Sequence, residues 1–317
     1  MLHNISQSNP GQRAASTSSG VVLSFDLGGS HVAAMAARVS SPFNGTRASL
    51  ALNEGGSATY LFDRVDEVGR MALAALTWSE VIVGIAVAMP GPFDYSRGVS
   101  WLQHKFSAWY SVNVRKHLAI RFAIDEKDVV FLNDADAFLL GELQELFAPR
   151  AIGITLGTGI GASFAIDGRA VPATEILPSN CDLYALPWKG RTVEEFISTR
   201  GIMKLHEDRR GRYRSVKEIA LNSVFDAVAA DTMSAFGKEL GLVIETYLLP
   251  FAPDAIVLGG SISRSSETFL PATLSGTRDL ANLLKISSHF EKAALLGSIA
   301  DWFQQRRVDQ RSRGPLE

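Results

Sequence analysis

Residues 151–166, AIGITLGTGIGASFAI, contain an apolar run, a glycine-rich turn and a second apolar run. The two apolar segments, 151–156 and 160–166, have the length and composition of β-strands. Gly157-Thr158-Gly159 between them supplies the backbone freedom that a tight turn requires. The stretch therefore predicts a β-hairpin whose turn presents backbone N–H groups.

The same pattern occurs near the start of the chain. VVLSFD (21–26) is an apolar run that ends in an acid, and Leu27-Gly28-Gly29-Ser30 precedes a second small-apolar run to about Val39. Two similar glycine hairpins predict two α/β halves, each opening with such a hairpin.

Helical and strand-like segments alternate through the rest of the chain. Helical spacing is present over 59–79, and Val81–Met89 is typical of a strand buried on both faces. A further apolar run, Asp128–Leu132, leads into Asn133-Asp134-Ala135-Asp136. Later segments predict helices at 137–146, 193–207, 215–222, 226–249 and 290–306, and a strand at 255–258 that leads into Gly259-Gly260-Ser261.

Composition restricts the class of protein. The 317 residues are 46% hydrophobic and carry a net charge of −2, which argues against a nucleic-acid surface or a membrane-bound protein. Cys181 is the sole cysteine, which excludes an internal disulfide framework and fits a reducing, cytoplasmic location. Residues 1–20 are polar and predict a disordered tail, and 307–317 predict a flexible tail.

Glycine turns of this kind have two interpretations. The sequence has neither a Walker-type P-loop nor a glycine fingerprint between a strand and a helix, and a single glycine hairpin is usually only a hairpin. Two such hairpins from two halves could clamp a polyphosphate through their backbone amides. Asp26 before the first turn then lies where a hydrated Mg²⁺ would bind, or else it is a strand-end acid facing solvent.

From about residue 21 to 305, the chain resembles the ROK family of bacterial sugar kinases, within the actin/hexokinase/Hsp70 superfamily. Five segments carry the resemblance in the family's order: FDLGGSH (25–31), GIAVAMPGPFD (84–94), FLNDADAFLLGE (131–142), GITLGTGIGASFAIDGR (153–169) and IVLGGSIS (256–263). The resemblance implies two ribonuclease-H-like (actin-like ATPase/hexokinase) α/β domains with a central cleft. Residues 21–133 plus 290–306 would form the smaller domain and 134–289 the larger. A homodimer is compatible with the family.

The resemblance also implies roles for individual residues. Asp134 matches the catalytic base and Asn133 a residue that holds sugar hydroxyls, although an Asn-Asp pair is also a natural helix N-cap. We expect Asp136 to cap the helix or to face solvent. The implied phosphate contacts are Gly28, Gly29, Ser30, Gly157, Thr158 and Gly159. The implied adenosine contacts are Gly259 and Gly260, and the implied sugar contacts are Glu194 and Glu175. The alternative for both glutamates is a solvated surface charge, and for Glu175 the two interpretations are nearly even.

Two departures from the family pattern lie on the sugar side. Pro178 stands where many members have a zinc-binding histidine, and Cys181 alone remains of a cysteine cluster, so the resemblance implies that zinc is absent. Lys105 stands where glucokinase-like members often have an asparagine. An ammonium group has three donors and no acceptor, so it cannot replace an amide at a sugar hydroxyl.

The motif set predicts an enzyme that transfers phosphate from MgATP to a hexose, with glucose as the favoured acceptor. N-acetylmannosamine, N-acetylglucosamine and fructose are alternative acceptors. A sugar-responsive regulator of the same family is disfavoured because only a largely polar segment of 20 residues precedes the first strand, too short for a groove-reading helical module. A sugar-binding pseudokinase is the remaining alternative.

Overall fold

The apolar segments form two five-stranded sheets in the computed structural model of the protein, which describes residues 20–74, 76, 80–276 and 280–312. The predicted N-terminal tail, except for Gly20, lies outside the described residues, whereas 307–312 of the predicted C-terminal tail continue a helix. In chain order the strands are β1 (Val21–Leu27), β2 (His31–Arg38), β3 (Ser41–Ala51), β4 (Ile82–Met89), β5 (Phe93–Asp94), β6 (Val99–Ser100), β7 (Val129–Asn133), β8 (Arg150–Leu156), β9 (Ile160–Ile166), β10 (Arg169–Val171), β11 (Pro187–Trp188), β12 (Arg191–Thr192), β13 (Ala255–Gly259) and β14 (Leu284–Ile286).

Helices connect and cover the strands. They are α1 (Ala58–Leu73), α2 (Val114–Phe122), α3 (Asp134–Glu142), α4 (Ala173–Ile176), α5 (Val193–Phe196), α6 (Thr199–Asp208), α7 (Val216–Asn222), α8 (Ala227–Val243), α9 (Leu270–Thr273), α10 (Leu280–Leu283) and α11 (Ala293–Ser312).

The two sheets have the same topology. The first has the order β3-β2-β1-β4-β7 and the second β10-β9-β8-β13-β14. In each, three antiparallel strands joined by hairpins are followed by two parallel strands. This repeat confirms the prediction of two α/β halves that each open with a glycine hairpin.

Three predicted helix boundaries differ in the structure, two of them because of a capping side chain. Asn133 accepts a hydrogen bond from the Ala135 N–H, so α3 begins at Asp134 and not at Ala137. Ser198 caps α6 through the Gly201 N–H, which divides the predicted 193–207 helix into α5 and α6. The predicted 226–249 helix ends its α-helical turns at Val243 and continues as a π-helical segment over Ile244–Leu248.

Helices α3 and α11 cross at van der Waals distance because glycines face the crossing. A Cβ on Gly141 would lie 1.9 Å from the Ala293 carbonyl oxygen, and one on Gly297 would lie 1.8 Å from that of Ala137. Ser24 Oγ in β1 donates to the Leu295 carbonyl at 2.9 Å, which joins the first sheet to the same helix. Helix α11 therefore braces both β1 and α3, and it extends to Ser312, beyond the predicted end at Arg306.

In the described part of the chain, no helix combines the length and the apolar character that a membrane crossing requires.

Candidate active site

Strand register brings the predicted site residues to the edges of the two sheets. Asp26 pairs with Ala88 across β1 and β4, and Met89 pairs with Asn133 across β4 and β7. Because these strands are parallel, Asp26 and Asn133 end at the same edge. In the second sheet Thr155 pairs with Gly259, so the 157–159 turn and Gly260 also share an edge.

The two edges border a cleft of about 780 Å³. From the first half it is lined by Gly91, Pro92, Lys105, Asn133 and Asp134, and from the second by Thr155, the 157–161 segment, Ala162, Asp182, Tyr184 and Gly260, with Ala135 between. Seven residues selected from the sequence thus meet at one place. They are Lys105, Asn133, Asp134, Gly157, Thr158, Gly159 and Gly260.

Asn133 serves as helix cap and cleft residue at once. Its Oδ1 caps α3, and its Nδ2 donates to the Tyr95 hydroxyl at 3.1 Å. Tyr95 in turn donates to the Met89 carbonyl at 3.0 Å, which fixes the amide plane. One N–H of the amide remains to donate to a ligand hydroxyl, so the capping and substrate interpretations are both compatible with this geometry.

Asp134 lies on the first turn of α3, with its Oδ1 accepting from the Ala135 N–H at 3.0 Å. Asp134 is exposed to the open cleft, and desolvation by the surrounding protein raises the pKa of its carboxyl above the ordinary value. The Ala135 hydrogen bond and the Lys105 ammonium oppose that rise. A raised pKa makes a carboxylate a stronger base, and Asp134 faces the cleft where a hydroxyl could be deprotonated.

Asp26 lies at the same edge, outside the residues that line the cleft. Burial, followed by repulsion from Asp134, raises its pKa to about 7, and Arg47 counteracts part of the rise. Two neighbouring carboxylates favour a divalent cation, because the cation relieves their repulsion and accepts oxygen ligands. The magnesium site that the sequence predicts at Asp26 stays a prediction.

The structure corrects the role given to Asp136. Asn133 caps the helix, and Asp136 is partly buried rather than solvated. Burial and repulsion from Asp134, Asp301 and Asp182 raise its pKa to about 7. Burial also raises the pKa of Asp301, on α11, to about 6.

Glu194 lies beside the 157–159 turn, outside the residues that line the cleft. A Cβ on Gly159 would be only 2.4 Å from Glu194 Oε2, so the glycine leaves room for this flexible carboxylate to approach the turn. Arg200 Nη2 lies 3.7 Å from the other oxygen of Glu194. The Thr199 N–H and Oγ1 both donate to the Gly157 carbonyl, at 2.8 and 3.0 Å, so the start of α6 anchors the turn.

The other predicted glycines have packing functions that the structure makes plain. Gly260 has a φ of +83°, and a Cβ there would lie 2.3 Å from the Leu156 carbonyl oxygen. Gly259 is buried in the core against the Phe138 ring. At the first turn, Gly28 packs on His31, Gly29 packs on Glu54, and Ser30 is exposed.

Glu175 does not join the cleft. It lies on the short helix α4 with an exposed side chain and outside the cleft lining. Pro178 begins the 3₁₀ turn after that helix. Among the described residues, no group of three or more His, Cys, Asp or Glu side chains is placed to hold a metal ion, and the absence of zinc stays a prediction.

Sequence reasoning missed three polar residues of the site. Asp182 and Tyr184 line the cleft from a 3₁₀ turn over Leu183–Ala185, and Tyr95 holds Asn133. None of them belongs to a periodic segment or a motif, and only the position of the turn opposite Asp134 reveals them.

Several proteins with assigned functions are similar to this chain in sequence. A glucokinase of Thermotoga maritima is 25% identical over 211 residues, which cover 58% of this chain and 65% of that protein, so the chain spans just under two thirds of its length. An N-acetyl-D-glucosamine kinase of Haemophilus influenzae is 24% identical over 216 residues, covering 59% of this chain and 70% of that protein.

A solved structure has the same fold. The ROK hexokinase of Thermus thermophilus superposes with a TM-score of 0.72 at 19% identity, covering 91% of this chain and 99% of that one. This likeness confirms the predicted actin-like ATPase fold with two α/β units. The sequence profile of the ROK family matches residues 57–176 and 180–301. That match contains the whole second sheet, strands β4 and β7 of the first sheet and the residues that line the cleft, so the chain belongs to the ROK family.

Proposed function

We propose that the protein transfers the γ-phosphoryl group of MgATP to the 6-hydroxyl of a hexose, with glucose as the acceptor. The observation that carries the proposal is Asp134 facing the Gly157–Gly159 turn across one cleft. A base on one side and backbone amides on the other are what phosphoryl transfer to an alcohol needs.

In this proposal Asp134 accepts the proton of the sugar hydroxyl, whose oxygen attacks the γ-phosphorus as the bond to the β-phosphate oxygen breaks and ADP leaves. The free N–H of Asn133 donates to a ring hydroxyl, and Glu194 accepts from another. Gly157, Thr158 and Gly159 hold the β- and γ-phosphates, and Gly260 borders the adenosine. Asp26 binds the metal of MgATP through water, and closure of the two halves excludes competing water.

N-acetylglucosamine is the second candidate acceptor. The H. influenzae relative is an N-acetyl-D-glucosamine kinase, and its match to this chain is as extensive as that of the glucokinase. Lys105 in the cleft favours neither sugar by itself. We further propose a cytoplasmic enzyme without zinc, acting as a monomer or a homodimer on small molecules and not on nucleic acid.

A coupled ADP-release assay tests the proposal directly. With MgATP, the protein is assayed against glucose, mannose, fructose, N-acetylglucosamine and N-acetylmannosamine, and polyphosphate replaces ATP in a parallel series. Turnover on glucose supports the first candidate and turnover restricted to N-acetylglucosamine supports the second. Sugar binding without ADP release on any sugar would instead identify a pseudokinase or a sensor.

A further inference from the structure

The β11–β12 hairpin is held to helix α8 by a single carboxylate. Glu239 Oε2 accepts from the Trp188 indole N–H at 3.0 Å, and Glu239 Oε1 accepts from the Lys189 ammonium at 2.5 Å. Glu239 is largely buried, with 18% of its side chain exposed, whereas the Lys189 side chain is 49% exposed, so the indole bond is the better shielded of the two. Both of its oxygens are thus committed to one two-strand hairpin.

Aromatic packing adds a second attachment at the same place. The Tyr247 hydroxyl donates to the Pro187 carbonyl at 2.5 Å, and its ring meets the Trp188 ring edge-on with centroids 6.1 Å apart. The hairpin turn itself is tight, because Lys189 and Gly190 both have positive φ angles. A two-residue turn with this backbone aligns its flanking strands rigidly.

The hairpin lies between two segments of the active site. Asp182 and Tyr184, which line the cleft, precede it, and Glu194 on α5 follows it directly. The Val193 N–H donates to the Leu186 carbonyl at 2.9 Å, and both of these side chains are fully buried. Movement of the hairpin would therefore displace residues on both sides of it.

We propose that Glu239 is a positioning residue for the sugar side of the cleft: by clamping Trp188 and Lys189 it sets the places of Asp182, Tyr184 and Glu194. The inference rests on the proposed function for the identity of the ligand. Glu239 does not line the cleft, so it acts through the hairpin and touches neither substrate. The 157–159 turn has attachments of its own, to α6 through Thr199 and to β13 through the β8–β13 pairing.

Glu239→Ala tests the inference by a difference between two Michaelis constants. We expect the KM for the sugar to rise about 10-fold, because displacements of about 1 Å in positioning groups have effects of this order or greater. The KM for MgATP should stay within about 2-fold of the wild-type value. Trp188→Phe, which keeps the ring and removes the donor, and Glu239→Gln, which keeps an acceptor for the indole, should each fall between the wild type and Glu239→Ala.

Asp231→Ala is the matched control, because it removes a carboxylate from an exposed position of the same helix. It should leave both constants unchanged. An unchanged sugar KM in Glu239→Ala would overturn the inference. A parallel rise in both constants with a lower Tm would do so as well, since it would show a general loss of stability.

Amide hydrogen exchange separates this inference from the proposed function. If the wild type phosphorylates no sugar, the proposed function has failed, yet the clamp still predicts faster exchange of the Val193 amide in Glu239→Ala than in Asp231→Ala. Equal exchange in the two variants would overturn the clamp whatever the activity.

Discussion

Asn133 and Asp134 illustrate how one pair of side chains serves both the fold and the site. The Oδ1 of Asn133 starts α3, and the resulting helical turn directs the Asp134 carboxylate into the cleft. Replacing the cap would move the base, so the two functions are coupled through a single backbone turn. A sequence shows the residue types at this position, but the coupling depends on the Tyr95 hydrogen bond from a distant loop.

Lys105 is expected to control the pH at which Asp134 works. Its ammonium opposes the desolvation that raises the pKa of Asp134, so its removal raises that pKa further. Because the base must be deprotonated, the acid limb of the pH profile of kcat/KM should move to higher pH in Lys105→Met. A shift in this direction is the expected consequence of losing a nearby opposite charge.

The profile is measured from pH 5 to pH 9, with Lys105→Arg as the charge-preserving control. The arginine variant should keep the wild-type limb even if its sugar KM changes. An unchanged acid limb in Lys105→Met would show that Lys105 does not influence the pKa of Asp134.

At the scale of elements, Glu142 at the end of α3 fixes the loop that leads to α11. Its buried carboxylate accepts from Ser287 Oγ at 2.5 Å, from the Ser288 N–H and Oγ at 3.0 and 3.1 Å, and from the His289 N–H at 3.2 Å. An amide has one acceptor oxygen in place of two, so Glu142→Gln leaves buried donors unsatisfied. We expect a loss of about 2–4 kcal/mol in the free energy of unfolding, measured by urea denaturation.

Glu145→Gln provides the comparison one turn later. Its side chain is 69% exposed and approaches His289 only to 3.6 Å, so the change should be within about 0.5 kcal/mol. Equal losses in the two variants would contradict the importance of the buried network.

The sequence predicts elements well where the apolar pattern is long and poorly where side-chain contacts set a boundary. Both glycine hairpins and the buried strand near Val81–Met89 are evident from local composition. The break between α5 and α6 is not, because it depends on the Ser198 cap and on contacts of Thr199 with the 157–159 turn. The local sequence does not identify Asp182 and Tyr184 as site residues either, because the packing of the whole second half brings their short turn to the cleft.

At the scale of the whole molecule, buried acids should make stability depend on pH. The folded state holds Asp26 and Asp136 with pKa values of about 7 and Asp301 with about 6, each raised chiefly by burial. Between about pH 4 and pH 7 the folded protein then binds more protons than the unfolded chain. Its free energy of unfolding must fall as pH rises through that interval.

Urea unfolding at pH 5 and pH 8 measures this dependence. The midpoint should be higher at pH 5. Asp136→Asn should raise the free energy of unfolding selectively at pH 8, by on the order of 1–2 kcal/mol after allowance for solvent screening. Asp94 and Asp226, whose pKa values are lowered chiefly by hydrogen bonds, affect stability only at lower pH, as they become protonated. A higher midpoint at pH 8 in the wild type would contradict the assignment of these buried groups.

The most direct test of the account compares Asp134→Asn with the wild type in phosphoryl transfer to the best sugar of the panel. Asparagine keeps the size of the side chain and cannot accept the proton, so kcat should fall at least about 100-fold while the sugar and MgATP still bind. Asp136 lies two residues further along α3 and outside the cleft lining, so Asp136→Asn should keep most of the turnover. Near-normal turnover by Asp134→Asn would contradict the central claim that this residue is the base of a sugar kinase.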